Sequence, residues 1–196
     1  MKLINDIINE LVNTDNSISS PLLKTKVLAS RLKNENLLNW VSNELKGYSK
    51  NEDLPEYRIY SGNITGTYVN GNKQYKNCPI PTSGMNKDFE KELNYIYLNH
   101  SVSSLENILS YNTNGSLDKI LPAKIITLIE YNFRKKGNPY LKLINCKVSV
   151  GIEAVTEVLS VVRNSLLDFM LKIDNEFGNI IEIEELKAKG KEISTI

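Results

Sequence analysis

The feature that most constrains the fold is a single apolar repeat that runs through residues 151–177. Apolar side chains recur there at alternating steps of four and three residues, at Val155, Leu159, Val162, Leu166, Phe169 and Ile173. This spacing is typical of one helix, ~40 Å long at 1.5 Å per residue, that packs lengthwise on another element. The sequence therefore predicts a long C-terminal core helix.

A second set of apolar side chains in the same segment lies off this repeat, at Val158, Val161, Leu167, Met170 and Leu171. Since one packing partner cannot cover both sets, the helix is either enclosed in the core or uses its second face as a subunit contact. Arg163 lies on a more polar side, where it can hydrogen-bond to a partner or to a neighbouring segment. We predict an interaction surface at Val158, Arg163, Leu167 and Leu171, and with it a protein partner or a homo-oligomer.

Three helices are predicted at the N-terminus. Apolar pairs at four-residue spacing indicate a first helix over residues 3–12. Ser20 followed by Pro21 indicates the N-cap of a second helix. Asn34 is expected to cap a third helix, which Gly47 ends.

The period changes to two between residues 57 and 78, where aromatic and β-branched residues surround Asn70-Gly71. This dipeptide is a strong hairpin signal and favours a type I′ turn. The register that follows, with Val69 opposite Asn72, turns the tyrosines of the hairpin toward the core. We predict a second interaction surface along the exposed edge of this hairpin, flanked by the cations Arg58, Lys73 and Lys76.

The remaining segments are shorter. Asn86 can cap a helix, residues 95–98 favour an extended stretch, and Ser103 with Glu106 has the spacing of a capping box. Pro122 opens a helix that Gly137 ends, and residues 140–150 favour a strand. The predicted fold is α+β and mostly helical, with an N-terminal three-helix segment, a central β-hairpin or small antiparallel sheet, and the long core helix. We expect one domain over residues 1–178 and a charged tail or linker over residues 179–196.

Charge and composition limit the partners. The chain has 24 Lys and Arg against 23 Asp and Glu, a net charge of +1 that provides no overall field for phosphates, so nucleic acid is not an expected partner. It contains no apolar run near ~18 residues and no signal-peptide pattern, which favours a cytoplasmic protein without membrane contact. Because His100 is the one histidine and Cys78 and Cys146 are the two cysteines, we expect no zinc site and no cofactor.

Catalysis has one weak candidate. A metal-dependent nuclease can use a Glu-x-Lys pair, and the sequence contains Glu44-Leu45-Lys46 and Glu185-Leu186-Lys187. Both pairs lie in helical sequence, away from a strand that could bring another acid beside them. We therefore expect them to be solvated helix charges.

Several motifs together resemble a known family. They are LKTKVLASRL at residues 23–32, the third predicted helix around Trp40 and Glu44, LPEYR at residues 54–58, the Pro79-Ile80-Pro81 segment, and residues 162–169. In this combination the chain resembles the AbiTii domain of bacterial abortive-infection proteins.

The resemblance implies phage defence in a bacterial cell, and it implies no particular reaction. The sequence favours a non-catalytic interaction, sensor or oligomerisation module. A toxin-like nuclease that uses Glu44 and Lys46, and an antitoxin-like neutraliser of a neighbouring toxin, remain the alternatives.

Overall fold

The computed structural model describes residues 2–49, 54–80, 85, 90 and 93–177, and within them the chain forms six α-helices and six β-strands. The helices are α1 (Lys2–Val12), α2 (Ser19–Leu32), α3 (Glu35–Lys46), α4 (Val102–Tyr111), α5 (Ala123–Lys135) and α6 (Glu153–Phe177). The strands are β1 (Ile59–Ser61), β2 (Asn63–Asn70), β3 (Lys73–Pro79), β4 (Tyr95–Tyr97), β5 (Ser116–Ile120) and β6 (Leu141–Gly151). The α+β, mostly helical fold class is confirmed.

The chain divides into two compact units. The helical unit comprises Met1–Tyr57, Asn99–Tyr111 and Val155–Ile196, and the sheet unit comprises Arg58–Leu98 and Asn112–Ala154. The predictions of a helix from Asn86 and of a charged tail over residues 179–196 fall largely or wholly outside the described residues.

The predicted first helix is confirmed as α1, which buries Ile4, Ile7 and Leu11 on one stripe. The predicted ends of the third helix are also confirmed. The Asn34 side chain accepts a hydrogen bond from the Leu37 N–H at 3.0 Å. Gly47 ends α3 with a φ of +87°, and a Cβ there would lie 2.7 Å from the Asn99 carbonyl oxygen. Only glycine meets both conditions without strain.

Two predicted caps are wrong, and one long-range contact explains both. α2 begins at Ser19 with Ile18 as its N-cap, and Ser20 does not cap it. The Glu106 carboxylate of α4 instead accepts hydrogen bonds from the Ile18 N–H and the Ser17 hydroxyl, each at 2.7 Å. Since Glu106 serves α2, it forms no capping box with Ser103. α4 begins at Val102 instead, and the Ser101 hydroxyl accepts a hydrogen bond from the Ser104 N–H at 3.3 Å.

The sheet unit contains an antiparallel sheet of strand order β3-β2-β6-β5 and a separate antiparallel pair of β1 and β4. Residues on β6 alternate between a buried and an exposed face, with one bulge near Ile144. The buried face carries Leu141, Leu143, Cys146, Val148 and Val150. Sequence reasoning predicted β6 and the short extended stretch that is β4, but it did not predict β5.

The predicted hairpin exists, but its register is wrong. Asn70 pairs with Lys73, which leaves Gly71 and Asn72 as the two loop residues. Gly71 has a φ of +59°, and glycine at the first loop position is what a type II′ turn requires. The turn has moved by one residue, so Tyr68 pairs with Tyr75. Because opposite residues share a sheet face, both rings lie on the same side.

Candidate functional site

The hairpin surface retains two of its three predicted cations. Lys73 and Lys76 on β3 are exposed, and β3 is an edge strand of the sheet. Arg58 is completely buried, and its Nη1 donates to the Leu98 carbonyl oxygen at 2.6 Å. Arg58 therefore stabilises the fold of the sheet unit and is not available as a surface contact.

Tyr68 and Tyr75 form a stacked pair, with ring centroids 4.9 Å apart and 18° between the ring planes. Tyr75 is 36% exposed, so the expectation that the hairpin tyrosines are turned into the core is wrong for this ring. Lys73 lies two residues before Tyr75 on the same strand and hence on the same face. The start of β3 thus combines a solvent-accessible aromatic ring with a nearby ammonium group.

The predicted surface on α6 is smaller than the sequence suggested. Val158 and Met170 are completely buried, and Leu167 is half-buried. Leu171 is 41% exposed. The buried stripe is broad enough to include residues on both sides of the predicted seam, as on a core helix. Of the predicted apolar contacts, Leu171 and part of Leu167 remain accessible.

Arg163 is used within the chain. Its Nη1 donates to the Leu11 and Asn13 carbonyl oxygens, each at 3.0 Å. Its Nη2 donates to the Thr14 and Asn16 carbonyl oxygens at 3.3 and 2.5 Å. The planar guanidinium suits this role because its donors point in fixed directions toward several acceptors. Arg163 therefore holds the end of α1 and the segment that follows it.

Glu44 is the residue that sequence reasoning placed most poorly. It was expected to be solvated, but its side chain is completely buried on α3. Its Oε1 accepts hydrogen bonds from the Tyr48 hydroxyl at 2.6 Å and the Tyr57 hydroxyl at 2.7 Å. The Tyr57 oxygen in turn accepts from Trp40 Nε1 at 3.0 Å. We call these four side chains the Glu44 network.

The electrostatics of the Glu44 network follow from its burial. Burial, and then the hydrogen bond to the Glu44 carboxylate, raise the pKa of Tyr48. Burial and the nearby negative charge of Glu44 also raise the pKa of Tyr57. Both phenols therefore keep their protons and remain donors to the carboxylate. The i, i+4 spacing of Glu44 and Tyr48 gave a sequence signal for half of this arrangement, whereas Tyr57 is brought in by the tertiary fold.

Lys46, the partner of Glu44 in the Glu-x-Lys pair, lines a different feature of the helical unit. It borders a shallow cleft of about 460 Å³ that is also lined by His100 and by Ser101 at the start of α4. Glu185 and Lys187, the second such pair, lie outside the described residues. Among the residues that the structure describes, no group of three or more His, Cys, Asp or Glu side chains is arranged to hold a metal ion. None of the described helices is both long and apolar enough to span a bilayer.

The comparisons with known proteins give one result. The family model described as AbiTii matches residues 2–196, essentially the whole chain. This confirms the suspected resemblance, and the match also includes residues 179–196. No curated protein and no solved structure matches the chain.

Proposed function

Since the chain belongs to the AbiTii family, which points to abortive infection as a defence against phage, we propose that it is a non-catalytic recognition module of such a system. In this role it binds another macromolecule through its surface. The residues we assign to binding are Lys73 and Lys76 of the hairpin and Leu167 and Leu171 of α6.

One observation carries the non-catalytic assignment. The nuclease alternative requires the Glu44 carboxylate to reach a metal ion or a substrate, yet it is completely buried and accepts hydrogen bonds from Tyr48 and Tyr57. Through these two short hydrogen bonds, the Glu44 carboxylate holds Tyr48 and Tyr57, which follow α3, in place. Its chemistry is used for folding, and the same applies to Arg163 and its four carbonyl acceptors.

An activity assay tests the assignment directly. We expect purified protein with Mg²⁺ to leave labelled single-stranded and double-stranded RNA and DNA intact. Degradation that the Glu44→Gln variant abolishes, with an unchanged circular dichroism spectrum, would establish the nuclease and reject the proposal.

Self-association through α6 is tested by light scattering on the wild-type chain and the Leu171→Lys variant. Leu128→Lys is a matched control, because Leu128 on α5 of the sheet unit is 43% exposed, against 41% for Leu171. If Leu171 is a subunit contact, its variant alone reduces the molar mass to that of a monomer. Equal masses for all three proteins would exclude Leu171 as a contact for self-association.

A further inference from the structure

Positive charge is concentrated in one of the two units, which the net charge of the whole chain conceals. The sheet unit contains twelve Lys and Arg against six Asp and Glu, and the helical unit contains twelve against seventeen. The net charges are thus +6 and −5 at neutral pH. Two copies of the chain can therefore attract each other through unlike units, although each copy is nearly neutral as a whole.

The sheet of strand order β3-β2-β6-β5 presents lysines on the face opposite to its buried residues. Lys142 and Lys147 of β6 pair with Val69 and Thr65 of β2, which are four residues apart and share a face. The two lysines are five residues apart, an odd number that would put them on opposite faces of a regular strand. The bulge near Ile144 adds one residue to β6, so Lys142 and Lys147 lie on the same face.

Three further side chains complete this face of the sheet. Lys76 is exposed and follows Tyr75, which lies on the other face. Ile120 of β5 pairs with Lys147 and is 79% exposed. Ile144 follows the buried Leu143 and is 55% exposed. We call the following residues together the open sheet face: Lys76, Ile120, Lys142, Ile144 and Lys147.

Two of the three lysines of the open sheet face keep an unbalanced charge. Asp118 accepts hydrogen bonds from Lys147 Nζ and the Ser149 hydroxyl, each at 2.7 Å, so its carboxylate offsets the charge of Lys147. Within the part of the chain that the structure describes, Lys76 and Lys142 form no ion pair. The open sheet face therefore suits a partner that is acidic and also offers apolar side chains to the two isoleucines.

The outer face of α6 has this composition. Glu157, Asn164, Asp168 and Leu171 follow one another at steps of seven, four and three residues, so they lie on one side of the helix, and all four are exposed. The two acids are about 16 Å apart along the helix axis. Lys172 borders this face, and no ion pair joins it to Asp168 among the described residues.

The spacing of the charges on the two surfaces is compatible. Lys76 and Lys142 are separated by two strand spacings and by about two residues along the strands, a distance of about 12 Å between backbones. Because a lysine ammonium group is carried on a flexible four-carbon stem, the two groups can spread to the spacing of the acids on α6.

We infer that the open sheet face of one copy binds the outer face of α6 of a second copy. The lysines of the sheet lie against the acids of the helix, and the exposed isoleucines lie against Leu171. This inference rests on the proposed function as a recognition module and names a second copy of the chain as its partner. A nucleic acid is disfavoured on this face, because phosphates offer no apolar contact to the isoleucines and the stacked hairpin tyrosines lie on the other face.

The contact joins two different surfaces, so every copy carries both halves of it. Two copies can satisfy both halves reciprocally in a symmetric dimer, or the contacts can continue from copy to copy. In either arrangement self-association increases with protein concentration and weakens as salt is added, because unlike charges attract each other across the contact.

Charge reversal tests the pairing of the two surfaces by sedimentation over a series of protein concentrations. One variant carries Lys76→Glu and Lys142→Glu, and the other carries Glu157→Lys and Asp168→Lys. Each should weaken self-association at least about tenfold, since like charges then face each other. An equimolar mixture of the two variants should associate again, as should one chain that carries all four substitutions. A folding defect could explain the loss of association but not its return.

Control variants separate the contact from general effects of charge and polarity. Lys26→Glu with Lys124→Glu, at exposed positions of α2 and α5, changes the net charge equally and should leave association unchanged. Ile120→Ser should weaken association about tenfold without changing its salt dependence. Tyr111→Ser is its control, because Tyr111 of α4 is 81% exposed, against 79% for Ile120. Equal effects of these two substitutions, or a mixture of the reversed variants that stays monomeric, would overturn the inference.

Three further results distinguish this inference from the proposed function. If the wild-type chain stays monomeric throughout the series but binds another macromolecule, the inference fails and a recognition module remains. If Leu171→Lys lowers the mass while the reversed lysines do not, α6 binds a different surface and the inference fails. If the associated chain degrades RNA or DNA, the contact stands and the non-catalytic proposal fails.

Discussion

The Glu44 network makes a quantitative prediction about stability. In Glu44→Ala the hydroxyl groups of Tyr48 and Tyr57 lose a buried acceptor, and each unsatisfied donor costs about 1–3 kcal/mol. A total of about 2–6 kcal/mol is comparable with the whole unfolding free energy of many domains, about 5–15 kcal/mol. We therefore expect Glu44→Ala to fold poorly, and the informative variant is the isosteric Glu44→Gln.

Glu44→Gln keeps the volume of the side chain and an acceptor oxygen but removes the charge. A hydrogen bond to a charged group contributes about 1 kcal/mol more than a neutral one, so two such bonds predict a loss of about 2 kcal/mol. With a slope near 2 kcal/mol per molar urea, the unfolding midpoint falls by about 1 M. Glu157→Gln is the matched control, because Glu157 is an exposed helical glutamate and its substitution should change stability by less than about 0.5 kcal/mol.

Trp40 provides the assay. It is the one tryptophan of the chain, and its indole Nε1 donates to the Tyr57 hydroxyl within the network. Urea unfolding followed by Trp40 emission therefore reports on the part of the structure that the substitution changes. A double-mutant cycle of Glu44→Gln with Tyr57→Phe should give a coupling energy of about 0.5–3 kcal/mol. Additive effects, or equal midpoints for Glu44→Gln and Glu157→Gln, would refute the structural role.

Three further predictions follow from groups whose surroundings are defined. The pKa values of Tyr48 and Tyr57 are raised, so the folded chain keeps two protons that the unfolded chain releases above pH ~10. The unfolding free energy is therefore unaffected below pH ~10. Above it, the unfolding free energy falls by about 1.4 kcal/mol per pH unit for each of the two tyrosines. Urea titrations at pH 9 and 11 should show this loss, and Tyr48→Phe should remove about half of it. Burial raises the pKa of Cys146 to about 11, so a thiol reagent at pH 8 should modify the half-buried Cys78 first and Cys146 only after denaturation. Arg163→Lys retains the positive charge but loses the planar set of guanidinium donors. We expect the unfolding free energy to fall by about 1–2 kcal/mol and amide exchange over residues 11–16 to become faster. Unchanged exchange over these residues would contradict the role of Arg163 in holding the end of α1.

The α6 helix shows how much of the structure the periodicity of apolar residues predicts by itself. The steps of three and four residues predicted a helix over residues 151–177, and the structure has it over Glu153–Phe177. The same pattern could not say what covers the second set of apolar residues. Val158 and Met170 are completely buried in this chain, while Leu171 is 41% exposed, because coverage depends on elements that are distant in sequence.

The hairpin surface also combines features that the sequence predicts with features that only the tertiary structure shows. The hairpin sequence predicts Lys73 and Lys76 as flanking cations of one surface, but only the strand pairing shows that Lys73 shares a sheet face with Tyr75 while Lys76 lies on the opposite face. The exposure of Tyr75 depends on a turn that starts one residue later than the Asn-Gly signal predicted. Whole-chain charge could not reveal a basic unit, since the acids that cancel it belong to the other unit.

By itself the sequence determined most helices, the long strand, the fold class and the family, because these depend on patterns between near neighbours along the chain. The hydrogen bonds at the ends of α3 are of the same kind, since Asn34 accepts from Leu37 and the Gly47 N–H donates to Asn43, each within a few residues. Only the tertiary structure decided that Glu44 is buried against Tyr57 and that Glu106 caps α2. Hydrogen bonding and burial join groups that are far apart in sequence, so the environment of a charge is fixed only when the chain has folded.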